Sequence, residues 1–250
     1  VGHGRPKAFY DINLVGTRNL LEALAQVSDN LKCVLLASSA NVYGNLQGGL
    51  LSESNPTNPA NDYAVSKLAM EYMARIWVPR IPVVIARPFN YTGVGQSESF
   101  LIPKIVSHFV NKRDTIELGN MDAKRDWGYA KDYVEGMWRM LQANEPDTFV
   151  LATNRTETVR DFVTMAFKAA DITLDWKGSA EQEQAIDTKT GKALVKINPK
   201  FYRPAEVELL IGNPEKAKAK LGWEPHTTLE ELCRMMVVAD LARNERGFSF

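Results

Sequence analysis

The sequence predicts an α/β protein whose core is a doubly wound parallel sheet. Two uninterrupted apolar runs of strand length, residues 33–37 and 82–86, alternate with segments in which apolar residues recur at helical spacing. Uninterrupted apolar runs are typical of parallel strands, because helices cover both faces of such sheets. Ligands bind beside the carboxyl ends of these strands. Ser38 and Ser39 follow the first run and Asn90 follows the second, so we expect a functional site there.

The other elements are predicted from the apolar period and from turn residues. Apolar residues at helical spacing predict a long helix from Tyr10 to Gln26, and Asp62 is the expected N-cap of the helix after the first strand. Further helices are expected at 101–110, 129–142, 159–170 and from Thr228 onward, and short strands at 115–118 and 149–152. The polar stretch 178–192 has no apolar period, which predicts a surface hairpin or a flexible insert.

Composition and charge exclude several classes of protein. The 250 residues carry 30 Lys and Arg against 30 Asp and Glu, so no basic surplus favours nucleic acid or an anionic membrane. Cys33 and Cys233 lie far apart and are expected to be reduced thiols. No apolar run approaches the roughly 18 residues of a membrane span, and no signal peptide is evident. His3, His108 and His226 lack the spacing of metal ligands. We expect a cytoplasmic protein without metal, nucleic acid or membrane partner.

The segment 63–67, with the sequence Tyr-Ala-Val-Ser-Lys, carries the clearest chemical signal. Tyr63 and Lys67 are four residues apart and share one face of a helix. Ser39, just after the first strand, is placed to reach the same point. We expect the Lys67 ammonium to favour the phenolate and to lower the pKa of Tyr63, while the Ser39 hydroxyl holds a substrate oxygen. These three side chains suit proton transfer at a carbinol or a carbonyl.

With this pattern the chain resembles the extended short-chain dehydrogenase/reductases, the NAD-dependent epimerase/dehydratase family, which remodel nucleotide-activated sugars. Within that family, the strings 118–128 (LGNMDAKRDWG), 201–207 (FYRPAEV) and 210–214 (LIGNP) resemble the GDP-mannose 4,6-dehydratases. The resemblance implies a Rossmann-like fold with a smaller, interleaved C-terminal substrate-binding domain. It also implies NADP or NAD as cofactor, a GDP-sugar as substrate and a homo-oligomeric assembly.

The resemblance also implies roles for individual residues. It implies cofactor contacts for Asn13, Tyr63, Lys67 and Tyr91. It implies substrate contacts for Asn90, Lys104, Arg125, Arg203 and Glu206. The two arginines suit a diphosphate, because a guanidinium binds it with two hydrogen bonds, and the Glu206 carboxylate suits the two donors of guanine. Alternatives stay open, because Arg203 can pair with Glu206, Arg125 with the adjacent Asp126, and Lys104 can lie on a solvated helix face.

The first half of the chain departs from the dehydratase pattern. Dehydratases carry Thr-x-Glu at the strand end, and this Glu is the acid/base for elimination of water, whereas Ser39 and Asn41 stand at the matching positions. An amide has no titratable proton near neutral pH. The segments 38–44 and 87–96 resemble the 4-keto-6-deoxy sugar reductases and 4-epimerases instead, and Tyr91 stands where dehydratases usually hold a His. We count Asn41 with Ser39, Tyr63 and Lys67 among the catalytic candidates.

Three functions follow from this conflict. The first is NAD(P)-dependent hydride transfer at C4 of a GDP-hexose, most simply by a GDP-4-keto-6-deoxy-mannose reductase. The second is a GDP-mannose 4,6-dehydratase, a lyase, which the second half of the chain favours and Asn41 opposes. The third is a non-catalytic or incomplete nucleotide-sugar-binding fragment.

The start of the chain lacks a phosphate-binding signal. No Gly-x-x-Gly-x-x-Gly loop follows an N-terminal strand, and in the family residues like those at 1–4 lie after the fourth strand. We therefore expect a chain that lacks about 70 N-terminal residues, the first part of its Rossmann-like domain, and that is inactive by itself. Residues 1–96, with returning segments near 118–150, are expected to be the remaining dinucleotide-binding domain. Residues 97–250 are expected to bind mainly the nucleotide-sugar.

Overall fold

In a computed structural model, the chain forms two compact units that alternate along the sequence. The structure describes residues 5–27, 29, 31–45, 49–97, 100, 101, 103–105, 115–201 and 209–245. The first unit takes Val1–Tyr91, Asp126–Thr156 and Leu209–His226, and the second takes Thr92–Arg125, Glu157–Glu208 and Thr227–Phe250. The assignment of cofactor to the first part and nucleotide-sugar to the second stays a prediction.

The elements of the described residues follow a mixed order of strands and helices. The strands are β1 (Val34–Ala37), β2 (Val83–Pro88), β3 (Asn90–Thr92), β4 (Ile116–Leu118), β5 (Lys124–Arg125), β6 (Trp127–Tyr129), β7 (Thr148–Leu151), β8 (Glu157–Thr158), β9 (Leu174–Lys177), β10 (Gln184–Asp187), β11 (Ala193–Ile197) and β12 (Leu209–Leu210). The helices are α1 (Pro6–Tyr10), α2 (Thr17–Ala25), α3 (Asp62–Trp77), α4 (Ala130–Leu141), α5 (Val159–Ala169), α6 (Glu215–Leu221) and α7 (Leu229–Glu245). A π-helical turn, Asp11–Gly16, joins α1 to α2, so the long helix predicted from Tyr10 is present as three consecutive helical segments.

The first unit is built on a three-stranded parallel sheet in the order β1–β2–β7. On one face the sheet packs against α2 and α3 through Leu21, Leu36, Met70, Ala74, Ile81, Val83 and Ile85. On the other face it packs against α4 and α6 through Val84, Ala86, Tyr133, Met140, Phe149, Leu151, Ala217 and Trp223. Because helices cover both faces, the sheet is doubly wound, as the uninterrupted apolar runs predict.

The second unit is built on a four-stranded sheet in the order β4–β11–β10–β9. β4 and β11 are parallel, whereas β10 is antiparallel to both β9 and β11. β10 lies inside the polar stretch 178–192, which therefore contains a paired strand of the sheet rather than a flexible insert. Its burial alternates along only four residues, with Ala185 and Asp187 buried. This alternation is too short to stand out among the surrounding polar residues.

Asp126 is a buried carboxylate that joins three segments of the first unit. It accepts hydrogen bonds from the backbone and hydroxyl of Thr153 at 2.9 and 2.7 Å, from the backbone of Asn154 at 3.1 Å and from that of Gly212 at 3.3 Å. Burial raises the pKa of Asp126 to about 6, although these hydrogen bonds act to lower it. The folded protein therefore holds the Asp126 proton to a higher pH than the unfolded chain does.

We expect Asp126→Asn to destabilise the first unit by about 1–3 kcal/mol, because the new amide turns donors toward backbone N–H groups. Since the pKa of Asp126 is raised on folding, its contribution to wild-type stability falls as the pH rises from about 4 to about 6. The variant lacks this titration. The melting temperature of the wild type should therefore exceed that of Asp126→Asn by less at pH 7 than at pH 4. Thermal unfolding monitored by circular dichroism tests this, with the exposed Asp175→Asn as control. A difference that widens over this range would contradict the prediction.

Candidate active site

Helix α3 presents the candidate catalytic residues from its first two turns. Asn61 is its N-cap, because the Asn61 side chain accepts a hydrogen bond from the backbone of Ala64 at 2.9 Å. The prediction of Asp62 as the cap is therefore wrong by one residue, and Asp62 instead accepts a hydrogen bond from the Tyr10 hydroxyl at 2.8 Å. Tyr63 follows in the first turn, so its orientation is set by a capped and well-anchored helix end.

The structure brings Ser39 and Tyr63 together, as their positions predict. Ser39 is extended and begins a short 3₁₀ turn, in which its hydroxyl accepts a hydrogen bond from the backbone of Asn41 at 3.2 Å. The Ser39 hydroxyl lies near enough to the Tyr63 hydroxyl to act on its pKa, which it lowers. The ring of Phe9 packs edge-on against that of Tyr63, with 5.5 Å between their centroids. The Tyr63 hydroxyl is therefore held at the carboxyl end of β1.

Burial, rather than Lys67, determines the pKa of Tyr63. Burial raises this pKa, the hydrogen bond with Ser39 lowers it, and the electrostatic effect of Tyr91 raises it, with a net shift above the ordinary value. The prediction that Lys67 would lower it is therefore wrong. The Lys67 ammonium lies 5.9 Å from the centre of the Tyr63 ring and donates to the backbone oxygen of Ala37 at 2.8 Å. Tyr63 is thus protonated at neutral pH and can act as a proton donor.

Lys67 belongs to α3, whereas Asn13 reaches the neighbouring residue of that helix, Ser66, from the preceding π-helical turn. Burial lowers the pKa of Lys67. Asn13 lies on the π-helical turn and donates to the Ser66 hydroxyl at 3.0 Å, and Ser66 in turn donates to the backbone oxygen of Tyr63 at 2.8 Å. Asn13 therefore braces the backbone that carries Tyr63.

Asn41, Asn90 and Tyr91 lie beside the carboxyl ends of β1 and β2. The side-chain amides of Asn41 and Asn90 are half-buried, and neither forms a hydrogen bond with another residue in the described part of the chain. Tyr91 is 42% exposed, and its ring lies 5.4 Å from that of the buried Tyr133. These residues leave polar groups at the strand ends that are free to meet a ligand.

Two of the predicted nucleotide-sugar contacts, Lys104 and Arg125, lie in the second unit. Lys104 is not simply solvated, because its ammonium donates to the backbone oxygen of Glu117 at 2.6 Å and lies 4.6 Å from the centre of the Phe201 ring. Arg125 is half-buried and donates to the backbone oxygen of Lys124 at 2.8 Å. Arg203 and Glu206 lie outside the described residues.

The sequence analysis missed a buried polar network beneath the site. Glu71 and Arg87 form an ion pair at 2.6 Å, and their side chains are 0% and 3% exposed. Ser38 donates to Glu71 at 2.5 Å, and Arg87 donates to the hydroxyl of Tyr43 at 3.0 Å. Two features of the sequence indicate this network. Glu71 continues the four-residue spacing of Tyr63 and Lys67, and Arg87 lies near the end of an otherwise apolar strand.

Two other features concern metals and membranes. Among the described residues, no group of three or more His, Cys, Asp or Glu side chains could hold a metal ion. Of the three histidines, only His226 is described. Cys33 and Cys233 are free thiols. In the same part of the chain, no helix combines the length and the apolar character needed to cross a membrane.

A doubly wound sheet with a serine, a tyrosine and a lysine at one strand end defines the short-chain dehydrogenase/reductase class. A family model described as GDP-mannose 4,6 dehydratase matches residues 2–236. A GDP-mannose 4,6 dehydratase of Dictyostelium discoideum is 39% identical over 244 residues, which are 95% of this chain and 68% of the relative. The chain belongs to the GDP-mannose 4,6-dehydratase family, as the sequence motifs predict.

Solved structures agree on the fold. The dTDP-glucose 4,6-dehydratase DesIV of Streptomyces venezuelae superposes with a TM-score of 0.82 at 21% identity, over 98% of this chain and 70% of that one. RMD from Pseudomonas aeruginosa superposes with a TM-score of 0.80 at 24% identity, over 97% of this chain and 77% of that one. The predicted Rossmann-like α/β fold is therefore confirmed. The chain spans about two thirds of the length of the curated relatives it matches.

We expect Ser39→Ala to raise the pKa of Tyr63 further, because it removes the hydroxyl that lowers this pKa. The measurement is a pH titration of ¹³C-labelled tyrosine by NMR, with the Tyr63 signal assigned through Tyr63→Phe. Ser54→Ala, at an exposed serine of the same unit, is the matched control and should leave the titration unchanged. An unchanged or lower pKa of Tyr63 in Ser39→Ala would show that the contact has no electrostatic effect.

Proposed function

We propose that this protein is an NAD(P)-dependent nucleotide-sugar enzyme that reduces C4 of a GDP-hexose, most simply a GDP-4-keto-6-deoxy-mannose reductase. The observation that carries the proposal is the Tyr63 hydroxyl beside Ser39 at the end of β1, with the amide of Asn41 at the position of the elimination acid. Reduction of a ketone needs a proton donor at the carbonyl oxygen. A tyrosine whose pKa is raised by burial is suited to this role.

The chain's own residues have distinct tasks in this reaction. The Ser39 hydroxyl orients the C4 carbonyl oxygen, and the Tyr63 hydroxyl donates its proton to that oxygen as it becomes a hydroxyl group. Two donors aimed at one oxygen also stabilise the negative charge that develops there. The amides of Asn41 and Asn90, which form no side-chain hydrogen bond within the described residues, offer further hydrogen bonds to sugar hydroxyls at the same strand ends.

The residues fit a nicotinamide cofactor, NADP or NAD. The Lys67 ammonium has three donors, and within the described residues one of them binds Ala37. The other two suit ribose hydroxyls, with Tyr63, Tyr91 and Asn13 around them. RMD was solved with NADPH and DesIV with NAD, which supports a dinucleotide for this chain. The reduced nicotinamide supplies the hydride when it is bound.

The alternative is a GDP-mannose 4,6-dehydratase, which the names of the relatives favour. Elimination of water needs a carboxyl group as proton shuttle near the sugar, and Asn41 cannot supply it. The two carboxylates of α3 nearest in sequence to Tyr63 and Lys67 are engaged elsewhere, because Asp62 accepts from Tyr10 and Glu71 pairs with Arg87. These contacts favour reduction over elimination.

The substrate contacts outside this centre are proposals from the sequence motifs. We assign Arg125 and Arg203 to the diphosphate, with Lys104 as a further cation, and Glu206 to the guanine edge. A non-catalytic nucleotide-sugar binder is the third hypothesis, and it is separated from the others by turnover. Homo-oligomerisation and a cytoplasmic location stay predictions.

The proposed function is tested by turnover measurements on the purified protein. We expect oxidation of NADPH in the presence of GDP-4-keto-6-deoxy-mannose and little conversion of GDP-mannose alone. Tyr63→Phe should lower turnover by about 10²- to 10⁴-fold, the usual contribution of a general acid. Tyr72→Phe, at an exposed position of the same helix, is the matched control. Rapid dehydration of GDP-mannose would favour the lyase, and binding without any turnover would favour the third hypothesis.

The role of Asn41 has its own test. We expect Asn41→Glu to raise the dehydration of GDP-mannose, because it restores a carboxyl group where dehydratases hold one. The dehydrated sugar is measured by chromatography of the nucleotide products, and Asn41→Gln is the control, since it adds length without a titratable proton. Equal dehydration by the Glu and Gln variants would contradict the assignment of Asn41.

The proposed contact of Glu206 with guanine is tested by comparing the binding of GDP and UDP. We expect GDP to bind more tightly than UDP by about 1–3 kcal/mol, since uracil offers the carboxylate only one of the two donors that guanine offers. Calorimetric titrations measure both affinities, and Glu206→Gln should remove most of the difference, whereas Glu215→Gln should not. Equal affinities in the unmodified protein would refute this contact.

A further inference from the structure

Three consecutive residues at the end of β1 bind three side chains of α3. The backbone oxygen of Ala37 accepts a hydrogen bond from Lys67 at 2.8 Å, and the Ser38 hydroxyl donates to Glu71 at 2.5 Å. The Ser39 hydroxyl lies near the Tyr63 hydroxyl and lowers its pKa. The helix partners lie at four-residue intervals and share one face. Each of the three residues at the strand end therefore has its own partner on this face of α3.

Of these three contacts, the one between Ser38 and Glu71 is the most deeply buried. Ser38 is 4% exposed and Glu71 is 0% exposed. The backbone of Ser38 also donates to Ala86 of β2 at 2.8 Å, which extends the pairing of β1 with β2 by one residue. Ser38 is thus fixed through its backbone to the sheet and through its hydroxyl to the helix. Any rotation of the strand end relative to α3 must break one of these bonds.

Glu71 is itself held in place from the opposite side. The Arg87 guanidinium donates to both of its carboxylate oxygens, at 2.9 Å through Nε and at 2.6 Å through Nη2. This geometry leaves the Glu71 carboxylate little freedom, because two parallel hydrogen bonds define its plane. The Ser38 hydroxyl therefore donates to an acceptor whose position and orientation are fixed.

We propose that Ser38 and Glu71 form a positioning pair, which holds the strand end in the register that brings the Ser39 hydroxyl to Tyr63. Neither residue of the pair is assigned a contact with substrate or cofactor. They act through Ser39, whose neighbour in the chain is Ser38, and through α3, which carries both Glu71 and Tyr63. The catalytic meaning of the pair rests on the proposed function, but its geometric effect does not.

Ser38→Ala separates positioning from stability. It removes one hydroxyl and leaves the Glu71–Arg87 ion pair, Ser39 and Tyr63 unchanged in sequence. If the pair positions Ser39, loss of the Ser38 hydroxyl weakens the contact between Ser39 and Tyr63. If Ser38 contributes only to stability, the melting temperature falls while the contact remains.

The test is the pKa of Tyr63, measured by NMR of ¹³C-labelled tyrosine without substrate or cofactor. We expect Ser38→Ala to raise the pKa of Tyr63 by more than half of the rise that Ser39→Ala causes. The circular dichroism spectrum of Ser38→Ala should remain that of the folded protein. Ser38→Thr keeps a hydroxyl and should restore the wild-type titration. Thr164→Val, which removes a hydrogen-bonded hydroxyl from the second unit, should leave it unchanged.

The outcomes separate this inference from the proposed function. An unchanged pKa of Tyr63 in folded Ser38→Ala would overturn the positioning pair, whatever reaction the protein catalyses. If Ser38→Ala does not fold, Ser38→Cys replaces it, because a thiol is a weak donor of similar shape, and an unchanged Tyr63 titration in that variant has the same meaning. Lack of reductase activity would overturn the proposed function and leave this titration result standing. In active protein, Ser38→Ala should lower kcat more than it changes KM.

Discussion

The buried ion pair between Glu71 and Arg87 is the interaction on which the candidate site depends. It joins α3 to β2 with both side chains almost inaccessible to water. Burial acts to lower the pKa of Arg87, but the hydrogen bonds and charge of Glu71 raise it above the ordinary value, so the guanidinium stays charged. Loss of one partner of such a pair leaves an unpaired buried charge and costs about 3–5 kcal/mol. The relative position of helix and sheet is therefore specified by charge as well as by packing.

Further contacts extend this constraint to the surrounding loop. Arg87 also binds the hydroxyl of Tyr43, which donates to the backbone oxygen of Ser52 at 2.9 Å. Glu53, the next residue, accepts a hydrogen bond from the backbone of Val150 in β7 at 2.6 Å. One side of the site is thus tied to all three strands of the parallel sheet. Such a frame suits chemistry in which the oxygen-binding hydroxyls must keep a fixed separation.

Sequence patterns predicted the sheet and the pairing of Ser39 with Tyr63, but not the electrostatics of the site. Buried parallel strands have uninterrupted apolar sequences, and residues four apart share one face of a helix. The strands and the shared helix face can therefore be predicted from the sequence. The pKa of Tyr63 instead depends on burial beside Phe9, a residue 54 positions away. The Glu71–Arg87 pair was missed for a similar reason, because the spacing of charges in a sequence does not show whether they are buried.

Membership of a dehydratase family and a proposed reductase activity are compatible in physical terms. In the proposed scheme both reactions require hydride transfer at C4, with a tyrosine and a hydroxyl side chain, serine or threonine, at the sugar oxygen. Elimination adds one requirement, a carboxyl group that moves a proton at the neighbouring carbons. The shared fold, the ion pair beneath the site and the Ser39–Tyr63 contact serve the common step. In the proposed scheme position 41 alone meets the additional requirement, so an amide in place of a carboxyl group there separates the two reactions while the shared residues are kept.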